Sequence, residues 1–449
     1  MKKLLKYTFI IALLIGGYFT YTTYPKLDIV SGFAAKSVAS HYFIAGREKL
    51  YTEAEDNKEP TMGMANTMLL EGENAAKSDA FGLKKRWAVN REGVGVVLVP
   101  SDKKREDVSY AKPNRDKTPT NLSYPYGDLP QKDTVFQNVN YSELKNVVNN
   151  AFVDDSENQK KTRTAIVIYK DQVISEQYID GFDKNSMILG WSMGKSITSA
   201  VLGVLEKEGK ISLDQSNLFK EWENDERKNI TLTNLLNMNS GLEWEENYTK
   251  ICDVTKMLFL EEDMTKSQLV KPLIGTPNES WNYSSGTSNL LSGFIRNQFK
   301  TEQEYLDYWY SELIDKIGMH SMIIETDFKN NYIGSSYAWA TTRDWAKFGL
   351  LYLHNGNWNG EQIINPSWID FTRKPTNGSD GVYGGHFWMN AGGKYPDVPR
   401  DMYSLNGFQG QRVYIIPSKD LVVVRTGTHG EENFNVNEFL SGIISSIDY

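Results

Sequence analysis

Apolar and polar positions change their spacing several times along the chain, and each change marks an element. Residues 7–24 form an uncharged, largely apolar run, preceded by Lys2, Lys3 and Lys6 and closed by Pro25 and Lys26. A basic start followed by an apolar stretch near the ~20 residues of a bilayer span predicts a membrane anchor. Tyr18, Phe19, Tyr21 and Tyr24 stand where a signal peptidase needs small residues, and aromatics at that place suit a retained anchor. The expected location is the cell membrane, with one N-terminal anchor and the rest of the chain outside the cytoplasm, on the periplasmic side. Secretion after signal cleavage is the alternative. Residues 31–51 then carry Phe33, Ala34, Val38, Tyr42 and Phe43 as the apolar positions of a helical segment. From 52 to 133 apolar density falls, 93–99 is the one clear strand, and 114–132 reads as a linker.

Past residue 134 the pattern sharpens. Residues 165–169 and 173–178, rich in β-branched and aromatic side chains, flank a turn at Lys170-Asp171-Gln172 and predict a hairpin. A helix follows, with Ile197, Ala200, Val201, Leu202, Val204 and Leu205 apolar, and ends near Gly209. The middle of the chain is mostly helical, at 231–238, 305–317 and 343–353, and Asn365-Pro366 caps another short helix. A second hairpin at 412–416 and 421–425 precedes a C-terminal helix with Phe439, Leu440, Ile443, Ile444 and Ile447 on its inner face. Strands at both ends with helices between predict an α/β (α+β) fold. An antiparallel sheet built from both ends of the domain is flanked by helices, beside an all-helical subdomain, and the active site should lie at the seam. The expected division is 1–25 anchor or signal segment, 26–134 extension and linker, and 135–449 the main domain.

Composition narrows the function. Of 449 residues, 24% are charged and 40% hydrophobic, an ordinary globular balance, and a net charge of -8 argues against a nucleic-acid partner. A single cysteine, Cys252, excludes an internal disulfide framework. His41, His320, His354, His386 and His429 are scattered, so no metal site is expected, and no cofactor motif is found.

Chemistry concentrates at Ser192-Met193-Gly194-Lys195. On a helix, positions three apart share a face, which brings a lysine amine to a serine hydroxyl that needs a base to become nucleophilic. Ser101-Asp102-Lys103-Lys104 fits the same pattern, but in a stretch crowded with charge. Gly194-Lys195-Ser196 resembles the end of a phosphate loop, yet the glycine such a loop needs at 189 is a leucine. No Gly-x-Ser-x-Gly surrounds a candidate serine, which disfavours a Ser-His-Asp hydrolase. Two further stretches combine small polar residues with the start of an element: Trp281-Asn282-Tyr283-Ser284-Ser285 and Leu405-Asn406-Gly407-Phe408-Gln409-Gly410.

The order of these motifs resembles the serine β-lactamase-related hydrolases, which include class C β-lactamases, D-alanyl-D-alanine peptidases, related esterases and 6-aminohexanoate-dimer hydrolase. Ile230 to Leu236 running into Ser240-Gly241-Leu242, and Gly349-Leu350-Leu351-Tyr352-Leu353 before Trp358-Asn359-Gly360, are similar as well. The resemblance covers about 135–449 and implies a β-lactamase/transpeptidase-like fold. It implies that Ser192 is acylated, Lys195 keeps its hydroxyl activated, and Tyr283 relays the proton to the leaving group. A lysine acting as neutral base near pH 7 must fall from about 10.4 by roughly three units; a charged lysine would instead favour a Tyr283 phenolate. The residues leave both open. The oxyanion hole is expected from the Ser192 amide and one amide on the edge Asn406, Gly407, Phe408, Gln409, Gly410. Trp191, Ser285 and Trp388 are candidates for the substrate pocket.

One departure matters. Where the family usually has Lys or His before a small residue and glycine, Leu405-Asn406-Gly407 stands; Arg425-Thr426-Gly427 matches in letters but lies too late in the chain. The expectation is a serine hydrolase acting on a small-molecule ester or amide. The alternatives are a β-lactamase or D-alanyl-D-alanine peptidase, or a non-catalytic binding protein of the same fold.

Overall fold

The computed structural model describes residues 2–58, 60–155 and 159–448. It divides into two units, one of Met1–Tyr110, Glu245–Asp263 and Asp327–Lys329, the other of Ala111–Trp244, Met264–Thr326 and Asn330–Tyr449.

The first unit is organised by one long helix, α1 (Lys2–Phe43), which runs without a break through Pro25. The segment expected as a separate helix from residue 31 is its second half. There Ala34, Ala35, Val38 and Ala39 are buried against an antiparallel sheet of β1 (Ala65–Leu70), β2 (Ala75–Ala80), β3 (Leu83–Arg91) and β4 (Gly95–Val99). Only the last of these strands was expected. Ala75, Ala76, Ala80 and Ala88 are fully buried, and alanine is a poor strand former, so the pattern hides a sheet whose small side chains let the helix approach closely. Arg86, buried, pairs with Asp28 at 2.7 Å and donates to the Phe259 carbonyl on the helix Asp253–Leu260. Lys36 donates to the Val96 carbonyl.

The N-terminal anchor is corrected here. No helix among the described residues is long and apolar enough to cross a membrane. Thr8, Gly16, Gly17 and the tyrosines dilute the run, and the helix carries on into Lys26 and Asp28. The membrane as partner and the location built on it go with the anchor.

The second unit is the expected mixed fold. In chain order it contains α2 (Tyr141–Phe152), β5 (Thr162–Tyr169), β6 (Gln172–Tyr178), β7 (Met187–Leu189) and α3 (Gly194–Lys207). Then come α4 (Leu232–Leu236), α5 (Ser285–Arg296), α6 (Glu302–Trp309), β8 (Ile323–Ile324), β9 (Ala338–Thr341) and α7 (Thr342–Leu353). The last part holds α8 (Pro366–Thr372), β10 (Tyr383–Gly384), β11 (Phe387–Met389), β12 (Tyr403–Gly407), β13 (Gln411–Ile416), β14 (Leu421–Gly427) and α9 (Val436–Ser445).

The main sheet has seven antiparallel strands in the order β10-β11-β12-β13-β14-β5-β6, so the two ends of the unit meet at β14 and β5. Successive residues of a strand face opposite sides. Ala165, Val167, Tyr414, Ile416 and Val423 pack with α2 and α9 on one side, and Ile166, Ile168, Val413, Val422 and Val424 pack with α3 and α7 on the other. Both faces are covered, which is why 165–169 in β5 and 421–424 in β14 read as unbroken apolar runs. Residues 111–134 belong to this unit: Arg115 pairs with Asp315, and the Tyr126 hydroxyl donates to Asp171 at 2.7 Å.

Candidate active site

A short strand and a sharp turn set Ser192 in place. β7 pairs with β9, and the Gly190 amide donates to the Ala338 carbonyl at 2.8 Å. The next residue, Trp191, has φ +48, a left-handed conformation that costs a bulky side chain about 1–3 kcal/mol. The chain then makes one 3-10 turn, Trp191–Met193, before α3 begins at Gly194. Ser192 is thus on the turn that enters the helix rather than in its first α-turn, and Lys195 is still directed to it.

Lys195 is 2% exposed, and its Nζ lies 3.0 Å from Ser192 Oγ, 2.9 Å from Ser285 Oγ and 2.9 Å from the Ser335 carbonyl. The Tyr283 ring presents its face to the same nitrogen, 4.9 Å from the ring centroid. Two adjacent serines here do different work. Ser284 caps α5, accepting from the Thr287 amide at 3.0 Å and donating to Gln268 at 2.8 Å, whereas Ser285 turns inward to Lys195.

Behind the lysine stands His386. Its Nδ1 donates to the Leu236 carbonyl at 2.7 Å and its Nε2 accepts from Ser288 at 2.9 Å, while its own carbonyl accepts from Ser196 at 2.8 Å. One residue therefore ties α3, α4 and α5 together. Burial, with a smaller push from the Lys195 charge, takes its pKa down to about 3, so the ring is neutral.

The opposite wall is the end of β12. A Cβ on Gly407 would fall 2.0 Å from the Gly190 carbonyl, so only glycine lets this strand lie against the Ser192 turn. Gly407 pairs with Gln411, which leaves Phe408, Gln409 and Gly410 as a three-residue hairpin loop with φ +60 at Gln409 and +78 at Gly410. Leu405 is wholly buried in the core and offers no polar group, and Asn406 accepts from Ser404 at 2.8 Å. Phe408 is 55% exposed and meets the Trp191 ring edge-on at 5.8 Å. On the other flank Trp388 packs on Tyr283 at 5.3 Å, and Trp281 and Tyr383 complete a cluster of four rings.

A model of the family described as Beta-lactamase matches residues 150–438. The chain belongs to the Beta-lactamase family. Solved structures that share the fold include a provisionally named 6-aminohexanoate-dimer hydrolase from Bacillus anthracis, at 20% identity over 77% of this chain and 87% of that one, TM-score 0.54. A family VIII carboxylesterase matches at 14% identity over 68% and 96%, TM-score 0.54, and a penicillin-binding protein from Bacillus halodurans at 15% over 67% and 99%, TM-score 0.51. At these identities the likeness is one of fold. No curated protein sequence matches the chain.

In this Beta-lactamase-family chain, Ser192, Lys195 and Ser285 are joined by hydrogen bonds, Tyr283 meets Lys195 through its ring face, and Trp388 backs Tyr283. Trp191 and Phe408 form one rim, and Gly407 abuts Gly190. The motif reading missed Ser335 and His386. Ser335 contributes only a backbone carbonyl, which no side-chain pattern signals, although the small run Gly334-Ser335-Ser336 marks a close approach. Arg425 lies outside the cleft, buried in β14.

Proposed function

We propose that this protein is a serine hydrolase that cleaves small ester or amide substrates through an acyl-enzyme on Ser192. The observation that carries the reading is the set of three oxygens around Lys195. A charged ammonium donates to all three. A neutral amine donates to the Ser335 carbonyl and Ser285 and accepts from Ser192, so the same heavy-atom frame serves both ends of a proton transfer. No side chain needs to move during the step, which is how a positioned base contributes.

Ser192 Oγ attacks the acyl carbon and gives its proton to Lys195. The tetrahedral oxyanion is held by the Ser192 amide and an amide between Phe408 and Gly410. Collapse breaks the ester or amide bond, and the leaving alcohol or amine takes the proton by way of Tyr283; water then releases the acid by the reverse route. Trp191 and Phe408, with Trp281 and Trp388 across the cleft, supply apolar walls for the acyl chain.

Specificity follows from Leu405. With no cation at the third motif, a substrate carboxylate loses a hydrogen bond worth about 1.5–3 kcal/mol, a roughly 10- to 150-fold disadvantage. Neutral esters and linear amides lose nothing. This favours the chemistry named for the carboxylesterase and the 6-aminohexanoate-dimer hydrolase over penicillin turnover.

A fluorophosphonate probe should label the wild-type protein at Ser192, and Ser192→Ala should abolish both labelling and ester hydrolysis. Labelling at another serine, or β-lactam turnover matching ester turnover, defeats the proposal.

A further inference from the structure

Two arginines face each other across the main sheet. Arg412 of β13 and Arg425 of β14 are direct register partners, a like-charged pair that ordinarily destabilises a sheet. Arg425 is 1% exposed, and Glu432 and Asp154 act on it only at a distance, without a direct ion pair among the described residues. Its guanidinium donates to the Gly410 carbonyl at 3.2 Å, the His429 carbonyl at 2.7 Å, the Lys160 carbonyl and Thr162 Oγ1, and stacks on Phe434 at 4.3 Å. Arg412 donates to the Gly407 carbonyl at 2.6 Å and the Gln411 carbonyl at 3.0 Å, with Glu431 3.5 Å away. A buried cation held mainly by carbonyls beside a second cation is expensive to keep in a sheet.

Both arginines hold the same object. Gly407 precedes the loop Phe408, Gln409, Gly410 and Gly410 ends it, and each of the two has its carbonyl gripped by one guanidinium. A trans peptide is planar, with its C=O and N–H pointing in opposite directions. Fixing the Gly407 carbonyl on Arg412 therefore fixes the Phe408 N–H on the far side. A Cβ at Gly410 would lie 2.2 Å from Arg425 Nη1, so the loop is moulded to the guanidinium. Gln411 adds a third grip, its side chain donating to the Gly427 carbonyl at 2.6 Å.

We infer that Arg412 and Arg425 are positioning residues which brace the 408–410 loop so that its amide, with Phe408 N–H foremost, is preset for the oxyanion. The inference rests on the hydrolase reading above and goes beyond it by giving Arg425 a task. Neither arginine touches substrate; each acts through the peptide that it holds.

The test uses the full-length protein with a neutral short-chain ester and an alkyl boronic acid, which forms a reversible tetrahedral adduct on the serine. Arg425→Gln and Arg412→Gln should lower kcat by about 100-fold, the scale of an ångström-level misplacement, with KM within about threefold of wild type. The boronate inhibition constant should rise by the same factor as kcat falls. A merely structural role would instead lower the melting temperature and leave kcat per active site and boronate affinity unchanged. If Arg425→Gln does not fold, the partly exposed Arg412→Gln decides. Unchanged kcat and boronate affinity in the folded variants overturn the brace. Absence of ester turnover in the wild type overturns the underlying reading instead.

Discussion

Lys36 in the first unit and Lys195 in the second are both buried lysines on helices, and the two are treated differently. Lys36 on α1 is 3% exposed and Lys195 on α3 is 2% exposed. Lys36 donates to the Val96 carbonyl, and burial, then the nearby Arg91 charge, holds its pKa well below the ordinary lysine range. Lys195 has a carbonyl too, but adds two hydroxyls, Ser192 and Ser285, and an aromatic face. A carbonyl can only accept a hydrogen bond, whereas a hydroxyl can reverse its role and give up a proton. A lowered pKa, as at Lys36, is thus a consequence of burial and does not by itself mark a base; what marks one is a partner that exchanges protons with it.

The sharpest break of this contrast is a matched pair of substitutions. Lys195→Ala should cost turnover about 1000-fold or more, as when one member of a relay is removed. Lys36→Met should leave kcat unchanged and leave stability the same or higher, since replacing a buried cation by an apolar group of similar length is often neutral. Steady-state kinetics and denaturant unfolding of both variants check this; a comparable loss of turnover in Lys36→Met would erase the distinction.

The next effect comes from His386, the neutral ring behind Lys195. Its folded pKa of about 3 lies below the unfolded value of 6.5, so the unfolded chain binds the extra proton between them. Stability from this group is complete above pH 6.5 and falls as pH drops, by about 1.4 kcal/mol per unit, until about pH 3. In His386→Gln that part of the acid slope should vanish, as read from unfolding midpoints between pH 4 and 7.

Ser284 and Ser285 separate chemistry from scaffolding one residue apart. Ser285→Ala should lower kcat roughly 10- to 150-fold, the loss of a hydrogen bond to a charged group, with the fold intact. Ser284→Ala should instead remove a helix cap, about 1 kcal/mol of stability, with kcat per folded molecule kept. The smallest effect is expected at the β5–β6 turn, where His354 lies 2.6 Å from Asp171. The hydrogen bond to Asp171 raises the pKa of His354, so its contribution is complete below pH 6.5 and lost as pH rises through the folded value. The pair is partly exposed, so His354→Asn should cost no more than about 1 kcal/mol at pH 6 and nothing measurable at pH 9.

These contrasts also mark what could be read from residues alone. The step from Ser192 to Lys195 is three positions on a helical turn, and the hairpins at 165–178 and 412–425 announce themselves through β-branched runs, so the family and its fold were legible. Ser285 and Ser335 reach Lys195 from 90 and 140 residues away, and nothing local separates Ser285 from Ser284. His386 is equally silent, one of five scattered histidines until α3, α4 and α5 converge on it. In the first unit the strands Ala75–Ala80 and Leu83–Arg91 carry alanines and charges whose burial depends on α1, so local propensity points away from them. The N-terminal run failed for a related reason: a count of uncharged positions overlooked how much glycine, threonine and tyrosine it contains.

The meeting of β14 with β5 has a further consequence, for the order in which the protein can be made. The hydroxyls of Thr164 and Thr426, 2.7 Å apart, belong to residues separated by 262 positions. During synthesis the β5–β6 hairpin emerges early, with Ala165, Ile166, Val167 and Ile168 apolar on both faces and the β14 side of the strand unpaired. It must wait for 421–427, which follow the whole helical middle of the unit, before its edge is closed. Pairing across so long a loop is slow, and an open apolar edge is a template for other chains. The sheet is therefore completed only once residues 421–427 have been made, and a nascent chain stopped before Leu421 should accumulate in inclusion bodies rather than as a folded fragment.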